Sequence, residues 1–191
     1  MSDETSQAGF SAGFPLAEQV LSSAEVQAGL AQLAGQIQPL LETTNDCLLL
    51  GVLAGGMFPL VHLAEALKGD FLVDYCHATR YRGGLQGGEL SWLKKPPLSL
   101  QGLTVIIVDD IWDEGSTLNA VADYCRKAGA KNVLTAVLII KDRDRPVGCT
   151  PPDFDSGLRV PDRYVFGCGM DFNNRWRHLS AVYALTSGDG S

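Results

Sequence analysis

Val105 to Leu118 reads Val-Ile-Ile-Val-Asp-Asp-Ile-Trp-Asp-Glu-Gly-Ser-Thr-Leu. A β-branched run ends in two adjacent carboxylates, Asp109 and Asp110, and a third, Asp113, follows three residues on. Neighbouring ionised carboxylates repel, so a cation or a set of hydroxyl donors must offset them. Ionised carboxylates only accept hydrogen bonds, which suits the vicinal hydroxyls of a ribose. Residues 113–117 then offer successive backbone N–H groups, with the Ser116 and Thr117 hydroxyls, where a helical pattern begins. Such a loop binds phosphate. One stretch can therefore hold both ends of a ribose 5-phosphate, with Asp113 over the anomeric side.

Two other readings of the stretch are weaker. In phosphoryl-accepting receiver domains an Asp-Asp pair comes early, and the acceptor Asp lies on a later strand. Here the pair sits past the midpoint, and no suitable Asp follows residues 133–140. Two surface carboxylates beside an ordinary strand-helix turn would not need the whole Asp-Asp-x-x-Asp-x-Gly-Ser-Thr string.

The flanking pattern must build a sheet under this loop. Ser22 with Glu25 is a capping-box signature, and Val26, Leu30, Leu33, Ile37 and Leu41 repeat at helical spacing. Pro39 is expected to kink or end that helix. Cys47 to Leu53 is a continuous apolar run, as in a buried parallel strand. It leads through Ala54, Gly55 and Gly56 into a helix over about 59–67. That glycine pair is either structural or a place where backbone approaches a ligand. Strands are predicted over Phe71–Thr79, Leu103–Val108, Asn132–Ile140, Arg163–Gly167 and Leu179–Leu185, and a helix over Leu118–Ala128 ending at Gly129. Residues 147–162, with Pro151, Pro152 and Pro161, read as loop. The segment Arg80–Gln101 holds four glycines and Lys94-Lys95-Pro96-Pro97. It is too long for an ordinary connection and is either a lid, a hairpin or a surface excursion. The order of elements predicts an α/β fold, a mainly parallel twisted sheet with helices on both faces. Residues 1–16 are expected to form a mobile arm whose Phe10 and Phe14 could dock on the surface. Residues 17–185 are expected to form one domain, and 186–191 a frayed tail.

Composition narrows the class. With 191 residues, 46% hydrophobic and 19% charged, the chain suits a soluble globular protein. The net charge of −7 disfavours nucleic-acid or anionic-membrane partners. No Lys or Arg precedes Lys68, so anions must be met by backbone amides, a metal ion or later segments. Five scattered cysteines form no CxxC pair, which argues against disulfides and zinc. No segment reads as a membrane span or a secretory leader, so a cytoplasmic location is expected.

The central string resembles the phosphoribosyl-diphosphate motif of type I phosphoribosyltransferases. The C-terminal set narrows the resemblance to the hypoxanthine-guanine (6-oxopurine) branch. It comprises Lys141 after an apolar strand, Tyr164-Val165-Phe166-Gly167-Cys168-Gly169-Met170-Asp171, and Arg175-Trp176-Arg177. The resemblance implies a small hood, formed by the N-terminal segment and about 147–185, and a lid over about 80–101. It implies phosphoribosyl diphosphate and a 6-oxopurine base as substrates, Mg²⁺ as cofactor, and a homodimer or homotetramer. Asp109 and Asp110 then serve the ribose hydroxyls and the metal, with Asp171 at a second metal. Asp113 faces the purine N7 as general acid/base. Gly115, Ser116 and Thr117 hold the 5′-phosphate, and Glu114, within that loop, is expected to turn its carboxylate away. Lys141 donates to the 6-oxo group, Tyr164 stacks on the base, and the Val165 backbone meets the base edge. Arg177 meets pyrophosphate, as do Ala54 and Gly55, and Tyr81 belongs to the lid. A cis peptide at Leu53-Ala54 is implied as well. The chain departs from the pattern at Ala54, where many relatives carry a basic residue, and at Glu114 and Ser116, where Thr and Lys are frequent. Two alternatives stay open: a nucleotide-binding regulator on the same fold, and a transferase for xanthine or a pyrimidine.

Overall fold

A computed structural model describes residues 14–80, 90–96 and 99–186. The main sheet holds six strands: β2 (Cys47–Leu53), β3 (Leu72–Arg80), β4 (Leu90–Lys94), β5 (Thr104–Trp112), β6 (Asn132–Asp142) and β7 (Phe154–Pro161). Their order is β4-β3-β2-β5-β6-β7, and all neighbours are parallel except β3 and β4.

The apolar runs become central strands because both faces are covered. Leu48 pairs with Val105 and Leu50 with Ile107, and these side chains pack toward α3 (Ser116–Lys127), on Val121, Ala122 and Cys125. Leu49 and Ile106 point the other way, onto Leu33 and Ile37 of α1 (Ser23–Thr43) and Leu63 of α2 (Met57–Ala66). Each such fully buried aliphatic side chain stabilises the fold by roughly 1.5–3 kcal/mol. The predicted α/β architecture, with helices on both faces, is what the chain adopts.

A second, three-stranded antiparallel sheet has the order β1-β9-β8, from β1 (Ala17–Leu21), β8 (Val165–Phe166) and β9 (Val182–Leu185). Its aromatic core stacks Phe166 on Tyr183, with centroids 5.6 Å apart, and Phe14 meets both edge-on.

Several expectations need correction. Ser22 and Glu25 do form a reciprocal capping box, yet α1 continues past Pro39 to Thr43. Proline lacks the N–H that would have met the carbonyl of Gly35, so the helix continues with that one bond missing. The region read as loop over 147–162 contains β7, an edge strand whose proline, Pro161, is its last residue. An edge position tolerates proline because one row of backbone groups has no ladder to join. The central strand runs to Trp112, beyond Val108, so Asp109 and Asp110 belong to β5 itself. The strands expected over Arg163–Gly167 and Leu179–Leu185 shrink to β8 and β9. The helix after the glycine pair begins at Met57. Part of the long segment after β3 is a hairpin arm, since β4 pairs antiparallel with β3. Phe10, Tyr81 and half of the expected lid, 81–89 and 97–98, lie outside the described residues.

Candidate active site

The C-terminal ends of β2, β5 and β6 converge on one edge of the sheet. At its middle, Asp110 and Gly55 are in such close approach that a Cβ at position 55 would collide with the Asp110 carboxylate. Gly169, at φ +102, in turn lies against the Gly55 carbonyl, where only glycine fits without strain. The peptide between Leu53 and Ala54 is cis, as the resemblance implied.

Asp109 and Asp110 stand next to each other near the end of β5. The Asp110 N–H donates to Asp109 Oδ1 at 2.9 Å, and the Ile111 N–H to Asp110 Oδ1 at 2.8 Å. Burial, and then the neighbouring Asp110 charge, push the Asp109 carboxyl well above the usual range. Burial raises Asp110 as well, opposed by its hydrogen bonds and by the Arg177 charge. Such a pair calls for a cation or for hydroxyl donors.

Asp113 differs from this pair, because both of its oxygens are engaged. Lys141 Nζ, buried at the end of β6, donates to Oδ2 at 2.8 Å, and Arg143 Nη1 donates to Oδ1 at 2.7 Å. Burial would raise this carboxyl, but the hydrogen bonds and charges of Lys141 and Arg143 outweigh it and hold it below the ordinary range. Arg145 braces the arrangement from behind. It donates to the carbonyls of Asp113 (2.8 Å), Trp112 (2.9 Å), Lys141 (2.6 Å) and Arg143 (3.0 Å), and its guanidinium lies 3.5 Å over the Trp112 ring.

Gly115, at φ +74, is the N-cap of α3 and offers no side-chain cap. The first intrahelical bond in this turn is Asn119 N–H to the Gly115 carbonyl at 3.0 Å, so the preceding N–H groups are available to an anion. A side chain at 115 would strike Cys149 and the Trp112 indole, which support the loop from beneath. The Cys149 thiol donates to the Glu114 carbonyl at 3.2 Å. Ser116 and Thr117 are half-buried in the first turn of α3, and Glu114 is exposed.

On the far side, Arg177 clamps its own loop. Its Nη2 meets Asp171 Oδ1 at 2.5 Å, and its Nη1 donates to the Gly169 carbonyl at 2.6 Å. Asp171 also accepts from the Asn174 N–H at 2.8 Å. Tyr164 is 52% exposed with its ring edge-on to Phe172, while Val165 is buried in β8.

The fold thus brings Asp113 to Lys141, Asp171 to Arg177 and Asp110 to Gly55. Among the described residues no three His, Cys, Asp or Glu side chains gather as a closed metal cage. Sequence reasoning missed Arg143 and Arg145. Their signal was no more than two arginines in the charged run just past Lys141.

The model of the phosphoribosyl transferase domain family matches residues 13–173. The chain belongs to the phosphoribosyltransferase family. A hypoxanthine phosphoribosyltransferase from Escherichia coli K12 is 30% identical over 167 residues, covering 86% of this chain and 93% of that protein. A hypoxanthine-guanine phosphoribosyltransferase from Aquifex aeolicus is 27% identical over 170 residues, covering 87% and 93%. Among solved structures, a hypoxanthine-guanine phosphoribosyltransferase from Bacillus anthracis superposes with a TM-score of 0.77 at 25% identity, covering 87% of this chain and 96% of that one. The β5–α3 turn lies within the residues matched by that family model.

Proposed function

We propose that this phosphoribosyltransferase serves purine salvage. It moves the phosphoribosyl group of 5-phospho-α-D-ribose 1-diphosphate to N9 of hypoxanthine or guanine, giving IMP or GMP and pyrophosphate. The observation that carries this reading is the 2.8 Å pair between Lys141 and Asp113 at neighbouring strand ends. A base with an acceptor at position 6 draws the lysine's donors to itself, while its imidazole edge meets the carboxylate. A 6-amino group would set donor against donor and be disfavoured. The names of the Escherichia coli and Aquifex aeolicus relatives support the same substrate class.

In this reading Asp113 is the general acid/base, Tyr164 stacks on the base and the Val165 backbone meets its edge. The N–H groups at Gly115, Ser116 and Thr117 hold the 5′-phosphate, with the Glu114 side chain turned outward. Ala54, Gly55 and Arg177 meet the diphosphate, and Tyr81 closes over it. An all-oxygen donor set of few carboxylates fits Mg²⁺, which keeps waters and shares substrate phosphates. Asp109 and Asp110 would hold one ion and Asp171 a second, and when bound they would supply positive charge against the diphosphate.

The chain assembles as a homodimer or homotetramer. Val73 and Tyr75 lie on the α2 face of the sheet, in register with Leu49 and Gly51, and are 49% and 40% exposed. With Met57 and Val61 of α2, also exposed, they form a surface suited to a second copy. Among the described residues no helix is long and apolar enough to cross a membrane.

Pyrophosphate release from phosphoribosyl diphosphate, measured with hypoxanthine, guanine, xanthine, adenine and uracil in turn, tests the proposal. Turnover is expected with a 6-oxopurine and absent with adenine and uracil. No turnover with any base would instead favour a nucleotide-binding regulator. Lys141→Ala should shrink the ratio of kcat/KM for hypoxanthine to that for adenine by about tenfold, the value of one charged hydrogen bond. An unchanged ratio would remove Lys141 from base recognition.

A further inference from the structure

Arg143 has no part in the scheme so far, yet it makes the second hydrogen bond to the Asp113 carboxylate. The two oxygens are held by different kinds of group. Oδ2 is held by Lys141, a compact ammonium on a flexible stem. Oδ1 is held by Arg143, a planar guanidinium at 2.7 Å. A second carboxylate, Asp162, lies 3.8 Å from the same Nη1. The backbone beneath both partners is tied by one side chain, since Arg145 bonds the carbonyls of Asp113, Lys141 and Arg143 together. The cation and the carboxylate are therefore fixed relative to each other at both ends.

This arrangement matters once a base arrives. Lys141 must then turn its ammonium toward the ligand oxygen, which loosens its hold on Oδ2. The terminal torsion of an aspartate is broad, so a carboxylate with neither oxygen restrained samples many orientations. We infer that Arg143 is a positioning residue for Asp113: it keeps Oδ1 when Lys141 turns to the base, so that Oδ2 is the oxygen presented to the purine. The inference rests on the proposed acid/base role of Asp113. In the free protein both oxygens are occupied, and the carboxylate faces a base only after Lys141 has moved. Arg143 thus makes the movement of one lysine sufficient to expose one defined oxygen.

The test is a double-mutant cycle in single-turnover experiments with hypoxanthine, using the full-length protein and saturating phosphoribosyl diphosphate with Mg²⁺. Arg143→Gln should lower the single-turnover rate roughly tenfold or more, as expected for a misaligned reacting group. KM for phosphoribosyl diphosphate should stay within about twofold, because nothing in its binding loop is altered. Arg143→Lys, which keeps a cation for Oδ1, should recover part of the rate. In an Asp113→Asn background, Arg143→Gln should cost nothing further, because the carboxylate it would position is gone. A merely structural ion pair would lower Tm in both backgrounds and leave the rates to multiply. If Arg143→Gln keeps the parent rate, or if the two losses multiply in the double variant, Arg143 is not a positioning residue and the role of Asp113 stands. If Asp113→Asn itself leaves the rate unchanged, the acid/base reading falls and this inference falls with it. Should Arg143→Gln not fold, the same cycle run with Arg143→Lys decides the matter.

Discussion

Asp113→Asn is expected to lower the single-turnover rate by about 10²–10⁴-fold, the usual worth of a positioned general acid/base. KM for both substrates should change only a few-fold, because the amide keeps the shape of the carboxylate. The electrostatics fix the charge of the group and show what its replacement disturbs. Burial alone would raise the Asp113 carboxyl, but Lys141 and then Arg143 hold it below the ordinary range, so it is ionised at neutral pH. Asparagine has no charge, and it offers one acceptor where two cations now bind. One of Lys141 and Arg143 must then face an amide NH₂, donor against donor. The linkage has a definite sign. A depressed folded-state pKa contributes stability that is present above the unfolded value of about 3.9 and is lost as pH falls through the folded value. The parent should therefore be more stable than Asp113→Asn at neutral pH, and the two should converge in acid. Rates at neutral pH together with thermal melts at pH 7 and in acid measure both effects. A variant with the parent's rate would exclude Asp113 from proton transfer.

The parts of this protein legible in its sequence are those whose signal is local. β2, β5 and β6 are buried on both faces over their middle residues, so each appears as a nearly continuous apolar run. The helix start at Ser22 is written in a reciprocal pair three residues apart. The ribose-phosphate turn is likewise contiguous, which is why Asp109 to Thr117 could be read as one device. What was missed depends on distant partners. β1 is a five-residue strand only because β9 pairs with it from the other end of the chain, Ala17 opposite Leu185. β7 has one neighbour, β6, and its mixture of Asp155, Ser156 and Arg159 with Gly157 at φ +78 hides the alternation. Arg143 and Arg145 lie in the charged run Asp142-Arg143-Asp144-Arg145, which by itself names no partner. Their roles appear only when the β6 end folds back over the β5 turn, about thirty positions earlier in the chain.

The same fold-back makes Arg145 the most consequential side chain for the integrity of the site. Its guanidinium satisfies four carbonyls, those of Trp112, Asp113, Lys141 and Arg143. It also covers the Trp112 ring at 3.5 Å. A charged hydrogen bond contributes about 1.5–3 kcal/mol, but bonds from one group are not additive, and water can replace some of them at a half-buried position. The cation–π contact adds on the order of 1 kcal/mol. Arg145→Ala is therefore expected to destabilise the protein by about 2–4 kcal/mol, far above the usual cost of a surface substitution. For a chain of 191 residues that is a fall in Tm of roughly 5–15 °C. Arg145→Lys separates charge from geometry. An ammonium keeps the cation over Trp112, but as a point donor it cannot span carbonyls from both segments, so most of the loss should remain. Differential scanning calorimetry of the two variants reads this directly. If the lysine variant melts with the parent, the planar fork is not what ties the β5 turn to the β6 end. If it melts near the alanine variant, the fixed distances among Asp113, Lys141 and Arg143 depend on one guanidinium that touches no substrate.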